Sequence, residues 1–449
     1  MTNPNRPRYW TNPALPLLLV SLLLSVAACG GREEPAASDP GKADQTPAVS
    51  KPEPVELTMF YPWSGYPREK FMEDAGNSIV KKYPHISINY VQNEKGSSYE
   101  SLIAGGLKPD LIMTTDSSFA AVKAVGWDGD ITELAAKNKY NFDAINPGVM
   151  QGLQAVDPGK IAGLPSHVNS LALFYNKDLF DKFGVPYLTD GMTWDQVYEV
   201  AKKLTRLEAG TIYRGFGIRT GNFIGMNQLS LPVVDKSNKA VFDTDPWKNY
   251  ISNFVRFYQV PGYEATEEVV SGAKAYDMFI KDQTLAMLVQ MQSDYPRESL
   301  GVKMNWDVVS YPTLAANPGA GPQPNIVFYV IPKTSGKRDA AFLALAAILE
   351  GEHQRSFVKT GLGSVLKQNP AASAGTEVVP DLKGRNAKSL FPAKYANLVE
   401  PNKYLGVAQG GVYQAFLSAI LGKDDLNTAL RVAQENANKA IEAQLATQK

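Results

Sequence analysis

The 449-residue chain has one cysteine, three histidines and no net charge, its 45 basic residues matching its 45 acidic ones. Each scarcity excludes something. A single thiol cannot staple a fold or build a cysteine-based metal centre, and three histidines leave any metal site to be made almost wholly from carboxylates. Balanced charge argues against a nucleic-acid surface. No apolar run reaches the ~20 residues that a membrane-spanning helix needs. No Gly-x-Ser-x-Gly elbow and no His-Glu-x-x-His motif occurs, so the common hydrolase signatures are missing. Ser335-Gly336-Lys337 lacks the upstream glycine of a phosphate loop. Carboxylate neighbours such as Asp128 and Asp130 could in principle serve a glycosidase, but so many acids produce such neighbours by chance.

What is present begins with a secretory pattern. Arg6 and Arg8 precede the short apolar run 15–24, which ends in the small residues Ala27 and Ala28; the segment 1–28 reads as a signal peptide to be removed. Cys29 follows Val26-Ala27-Ala28 directly and precedes Gly30-Gly31, which resembles the lipobox at which bacterial lipoproteins are cleaved and acylated. Two or more acyl chains would make such an anchor lasting. The stretch 29–53 is rich in Pro, Ala, Glu and Asp and has no aromatic side chain, the composition of a flexible tether. The remainder is long enough for two domains.

Strand and helix patterns alternate along that remainder. A strand is predicted over 56–60, a helix over 68–82 closed by Pro84, a strand over 86–91, a short helix over 99–107 and a strand over 110–113. This order argues for an α/β fold with a parallel sheet. Thr193 with Gln196 three residues on predicts a capped helix start, and Trp194, Val197, Ala201 and Leu204 fall on one face of that helix; Trp194 reads as core. A last amphipathic helix is predicted over 426–445.

Gly163-Leu164-Pro165, the run Tyr175 to Phe180, Gly184-Val185-Pro186 and Thr193-Trp194-Asp195 follow one another in order. This stretch resembles the most diagnostic part of the family 1 extracellular solute-binding proteins. Pro109-Asp110-Leu111, Ala286-Met287 and the stretch from Trp306-Asp307-Val308 to Tyr311-Pro312 extend the likeness. The resemblance implies an α/β, two-lobed periplasmic-binding-protein-like fold of type II, like that of maltose-binding proteins, with the ligand cleft between lobes joined by a multi-segment hinge. It places the N-terminal lobe at 54–166 plus 325–362 and the C-terminal lobe at 167–324 plus 363–449. It also implies a monomeric binder, not an enzyme, that needs no cofactor and works with the permease subunits and ATPase of an ABC importer. Cys29 would hold it on the extracytoplasmic face of the cell membrane.

A sugar presents apolar C–H faces and a rim of hydroxyls, so its site needs aromatic planes and uncharged or acidic hydrogen-bonding groups. Trp63 and Ser64, in a loop after the first strand, are the first candidates; Trp63 could instead plug its lobe. Asp116 lies at the carboxyl end of a strand, where open α/β sheets bind ligands, and could also cap the next helix. Thr114-Thr115 stand where some maltose-type relatives place an aromatic, which weakens the case for a malto-oligosaccharide. His167 and Asn169 sit where the chain first passes between lobes. Gln292 and Asp294 follow the Ala286-Met287 strand, where the family has ligand contacts. Asn222, Phe223, Asn325 and Tyr413 complete the set, Tyr413 being open to a core role. Aromatic and amide groups dominate these loops, which points to a mono- or oligosaccharide. The alternatives are a charged small solute, such as a polyamine or a phosphorylated polyol, and more remotely a glycoside-acting hydrolase. Apart from Arg219 the loops carry no cation that would suit a phosphate.

Overall fold

The computed structural model describes residues 52–63, 66–94, 97–219, 221–297, 301–367, 380–400 and 402–446. Residues 1–51, on which the expected signal peptide, lipobox and most of the expected tether fall, and Ser64 lie outside the described residues.

Eleven strands are described: β1 (Val55–Tyr61), β2 (Ile86–Gln92), β3 (Leu111–Thr115), β4 (Leu164–Asn169), β5 (Leu171–Asn176), β6 (Arg206–Glu208), β7 (Thr211–Tyr213), β8 (Gly217–Ile218), β9 (Met287–Met291), β10 (Trp306–Val309) and β11 (Asn325–Val330). They form a five-stranded sheet in the order β2-β1-β3-β11-β4, a four-stranded sheet in the order β10-β5-β9-β8, and the small hairpin β6-β7.

The parallel sheet expected from sequence is only partly realised. β1 runs parallel to β2 and β3, but β11 enters antiparallel between β3 and β4. The reason is connectivity. β11 arrives after the whole second sheet has been built, so it is not the product of a helix crossover, which is what enforces parallel pairing.

Each sheet has its own core. The first is packed by Leu57, Met59, Phe60, Ile112, Leu153, Phe328 and Phe342, the second by Phe174, Phe180, Trp194, Phe216, Trp247, Phe254 and Phe257, all essentially without solvent exposure. β4 and β5 are separated only by Ser170, so a single extended segment passes from one sheet to the other. The chain returns between β10 and β11, and Gly363 pairs with Val168 through two backbone hydrogen bonds of 2.7 and 2.8 Å.

The motifs in the diagnostic stretch have local causes. A β-carbon on Gly163 would stand 2.0 Å from the Tyr329 carbonyl oxygen, so no larger residue fits where β4 begins beside β11. Asn176 caps the helix Lys177–Phe183 by accepting from the Asp178 N–H at 3.0 Å, and Gly184 ends it at φ 65°, the left-handed position glycine adopts without strain. The Thr193–Gln196 capping box forms as its spacing predicts. Trp194 is buried among Phe216, Phe254, Phe257 and Tyr311, and its indole N–H donates to Gln228 Oε1 at 2.9 Å.

The helix expected over 68–82 forms with a π-type turn at Met72–Gly76. The last helix, Leu426–Ala446, buries Ala429, Leu430, Ala437 and Ile441, the stripe its periodicity predicts. Among the described residues no helix is long and apolar enough to cross a membrane.

Candidate functional site

The carboxyl ends of β3 and the start of β11 meet at Asp116. The Asn325 amide and the Ile326 N–H both donate to Asp116 Oδ1, at 3.1 and 3.0 Å, and the Asp116 N–H donates back to the Ile326 carbonyl at 3.1 Å. Burial pushes the Asp116 carboxyl up to about 7, against the opposing pull of the Ile326, Asp116 and Ser117 backbone groups. This carboxylate is therefore held rigidly, and its proton is exchangeable near neutrality.

Asp116, Ser117 and Asn325 form one wall of a cavity of about 610 Å³. The opposite wall comes from Arg219, Gly221 and Asn222 after β8, and from Gln409 and Tyr413 of the helix Leu405–Ile420. Gly221 lies against the Tyr413 ring, with room for a β-carbon only 3.4 Å from its edge. Thus Asp116, Asn222, Asn325 and Tyr413 line one cavity, although they are far apart in sequence.

A second group of candidates stands beside it. Arg219 Nη1 pairs with Asp294 Oδ2 at 2.5 Å, and its guanidinium lies 4.0 Å over the Tyr276 ring. Tyr61, at the end of β1, packs edge-on against Trp63 with 5.2 Å between ring centroids. Burial, with a smaller contribution from the Asp294 carboxylate, raises the Tyr61 hydroxyl to about 12. Trp63 and Tyr61 are both only partly buried, and neither is among the residues lining the 610 Å³ cavity.

Two expected contacts, Phe223 and Gln292, are corrected by the structure. Phe223 is fully buried between Tyr250, Phe254 and Phe416, because its place on the inner face of a short helix turns it into the second core. Gln292 is likewise fully buried, its amide 3.4 Å from the Val168 carbonyl, and its own N–H donates to Ser170 O at 2.7 Å; it braces the crossing segment. His167 packs on Phe357 with centroids 4.9 Å apart and its Nδ1 lies 3.1 Å from Ser166 Oγ. Burial of the ring, with a smaller contribution from His353, depresses its pKa to about 3. Asn169 ends β4, where its amide donates to Ser293 Oγ at 2.9 Å and ties the end of β4 to the loop after β9.

Sequence reasoning passed over Tyr61 and Gln409 and treated Arg219 only as a stray cation. Tyr61 was findable, since it ends a strand two residues from Trp63. Gln409 lies in a helix with no distinguishing local signal, and only the fold brings it to the cavity.

The carboxylates that might have suggested hydrolysis have structural work. Asp128 pairs with Lys333 at 2.9 Å, and Asp130 accepts from the Thr132 N–H and hydroxyl at 2.9 and 2.6 Å. Asp110 accepts from Ser335 Oγ and Lys337 Nζ at 2.7 and 3.1 Å, so the faint phosphate-loop sequence there is bound to an acid of its own chain.

Residues 65–354 match the family described as bacterial extracellular solute-binding protein. The chain belongs to that family. Among curated members, an arabinooligosaccharide-binding protein of Bacillus subtilis is 27% identical over 242 residues, 51% of this chain and 50% of the relative. An sn-glycerol-3-phosphate-binding periplasmic protein of Agrobacterium fabrum is 29% identical over 151 residues, 30% of this chain and 34% of the relative. The match thus spans half or less of the length of these relatives. Among solved structures, an ABC substrate-binding protein from Listeria monocytogenes in complex with cycloalternan superposes with a TM-score of 0.68 at 19% identity, over 87% of this chain and 100% of the other. The two-lobed α/β fold of solute-binding proteins is therefore the fold of this chain, and its family consists of binders.

Proposed function

We propose that this chain is the substrate-binding protein of an ABC importer, that it captures a carbohydrate between its lobes, and that it delivers the ligand to the membrane permease and its ATPase. The supporting observation is the cavity lined by Asp116 and Asn325, at the ends of strands of the first sheet, and by Asn222 and Tyr413, from helices that pack on the second core. A ligand touching both walls selects the closed arrangement of the lobes. Uncharged amides, one carboxylate and an aromatic ring are the groups that recognise hydroxyls and C–H faces. The Bacillus subtilis relative, described as binding arabinooligosaccharides, supports the same reading.

The lobes are assigned to 54–166 plus 325–362 and to 167–324 plus 363–449, with hinges at 166–170, 310–325 and near Gly363. Trp63, Ser64, Asn169 and Asp294 complete the ligand-facing set. The protein acts as a monomer, anchored by acylated Cys29 on the extracytoplasmic face of the membrane, and binds without transforming its ligand. Replacing Cys29 by Ser should release the protein from the membrane fraction; retention there would refute the anchor.

A charged solute is the second reading. Arg219 lines the cavity, and several relatives are described as binding sn-glycerol 3-phosphate. Its guanidinium is already engaged by Asp294 and Tyr276, so it offers little uncompensated charge to a phosphate.

A thermal-shift screen of the full chain in a non-glycosidic detergent decides between them. The panel holds arabino-, manno- and malto-oligosaccharides, monosaccharides, polyamines and glycerol 3-phosphate. A ligand at 100 times its Kd should stabilise the native state by about 2.7 kcal/mol. Stabilisation by a neutral sugar supports the proposal; stabilisation by a charged solute alone overturns its carbohydrate part.

A further inference from the structure

Buried amide side chains fasten the hinge segments at different points. At the first and third segments the fastener is Gln354, fully buried on the helix Gly351–Lys359. Its Nε2 donates to the Ser166 carbonyl at 2.8 Å and to the Ile348 carbonyl at 3.2 Å, while its Oε1 accepts from the Val365 N–H at 3.0 Å and from Ser364 Oγ at 3.1 Å. With the Val168–Gly363 backbone pair, these bonds tie both segments to the first core, which Val168 and Val365 help to form. At the second segment Gln323, also buried, donates to the Asn227 carbonyl at 3.0 Å and accepts from the Val399 N–H at 3.0 Å. Asn227 follows the helix Asn222–Gly225, which packs on the second core, so Gln323 is held to that side. Two residues on, Asn325 is held to the first sheet by Asp116.

Between these fixed points lie Ser170 and Pro324, and they are neighbours. Asn325 pairs with Asn169 in the antiparallel β11–β4 ladder, so Pro324 lies opposite Ser170. Pro324 has no N–H to donate, and the Ser170 N–H turns to its own neighbour, Asn169 Oδ1, at 3.1 Å. Side chains here are unsatisfied as well. Ser170, Gln290 and Gln292 are fully buried, yet Ser170 Oγ, both ends of the Gln290 amide and Gln292 Oε1 have no hydrogen-bond partner among the described residues. Ser170 and Gln290 fall on the face of the second sheet that carries Ala172, Phe174 and Leu288, and the Gln292 N–H donates to the Ser170 carbonyl. A group without a partner loses no bond when its surroundings turn. Gln354 would lose four, and a buried polar group stripped of its partners is costly.

We infer that the two lobes turn about an axis through Ser170 and Pro324, and that the Gln354 bracket moves as a rigid part of the first lobe. The inference rests on the reading that capture closes one lobe on the other, and it does not depend on which ligand is captured. Each turn opens the bonds that span the axis, from the Gln292 N–H to the Ser170 carbonyl at 2.7 Å and from the Ser293 N–H to Asn169 Oδ1 at 3.3 Å. The N–H groups of Val168, Gly363 and Val365 stay bonded throughout.

The test is hydrogen exchange of the ligand-free full chain in a non-glycosidic detergent, resolved to single residues by fragmentation mass spectrometry. The Gln292 N–H should exchange at least about tenfold faster than those of Val168, Gly363 and Val365, although its bond is as short as theirs and its residue is fully buried. Gln354→Leu should speed exchange at Val168, Gly363 and Val365 by about tenfold and leave Gln292 unchanged. Gln290→Met replaces an unpaired amide by an apolar chain of similar length and should slow exchange at Gln292. Equal protection on both sides, or faster exchange at Val168 and Gly363 than at Gln292, would overturn the axis; unchanged exchange in Gln354→Leu would overturn the bracket. If Gln354→Leu fails to melt cooperatively, the wild-type comparison and Gln290→Met decide. No ligand takes part, so failure here leaves the carbohydrate reading intact, and silence from the sugar panel leaves the axis standing.

Discussion

Arg219 and Asp294 lie across the wall of the candidate site as an ion pair, Nη1 to Oδ2 at 2.5 Å, with the guanidinium stacked on Tyr276 at 4.0 Å. Both side chains are substantially exposed, so the pair contributes no more than about 1 kcal/mol to folding. Its consequence is for recognition, since a cation already paired is a poor partner for an anionic ligand. Asp294→Asn should leave the melting temperature nearly unchanged and allow glucose 6-phosphate to stabilise a protein that otherwise ignores it. Thermal shift with and without the phosphate ester reads this directly; equal stabilisation of both proteins would show that the pair does not screen the site.

Asp116 sets a pH dependence. Its carboxyl titrates near 7 in the folded protein and near the ordinary carboxylate value when unfolded. Between about pH 4 and 7 the folded chain therefore holds a proton that the unfolded chain has lost, and this group's contribution to stability falls as pH rises through that window. Asp116→Asn should flatten that slope in urea denaturation at pH 5 and 8. Ligand hydroxyls donating to the carboxylate favour its charged form, so binding should tighten from pH 5.5 to 8 in the wild type and not in the variant.

His167 acts in the opposite direction. Its folded pKa of about 3 lies below the ordinary value of 6.5, so the unfolded chain takes up a proton first as the solution is acidified. The stability it contributes is full above 6.5 and is lost as pH falls toward 3. His167→Gln should shift the acid-unfolding midpoint downward, monitored by tryptophan fluorescence. An unchanged midpoint would mean that His167 is not held neutral.

Trp63 and Phe223 separate binding from stability. Phe223→Ala opens a void in the second core and should cost about 3–5 kcal/mol of stability. Trp63→Ala removes a partly exposed ring and should weaken sugar binding by roughly tenfold with little change in melting temperature. A variant at Trp63 that melts early but binds normally would reassign this tryptophan to packing.

Trp194→Phe tests a buried polar connection. The indole N–H satisfies Gln228, whose own amide donates to the Pro312 and Ala320 carbonyls at 2.8 Å each. Losing that donor should cost about 1–3 kcal/mol, seen as a lower midpoint in denaturant with ligand Kd unchanged.

Much of the fold was legible because its signals are local. The capping box at Thr193 and the stripe Ala429, Leu430, Ala437 and Ile441 depend on neighbours within a few residues, and each forms as the spacing predicts. The direction of β11 was not legible. Its pairing partners, β3 and β4, lie more than 150 residues earlier, and nothing in a strand's own pattern states whether it will run parallel or antiparallel.

The candidate site divides the same way. Asp116, Asn222, Asn325 and Tyr413 were chosen from strand ends, loops and residue chemistry, and the fold brings them to one cavity. Phe223 and Gln292 were chosen on the same grounds but are turned inward, because side-chain direction depends on which face of an element meets a core formed by distant residues.

The sequence by itself determined the Thr193 helix cap and the likeness to the family, both written in contiguous residues. Tertiary structure alone decided which polar groups face a cavity and which cation is already paired, since each of these depends on the angle at which separate elements pack.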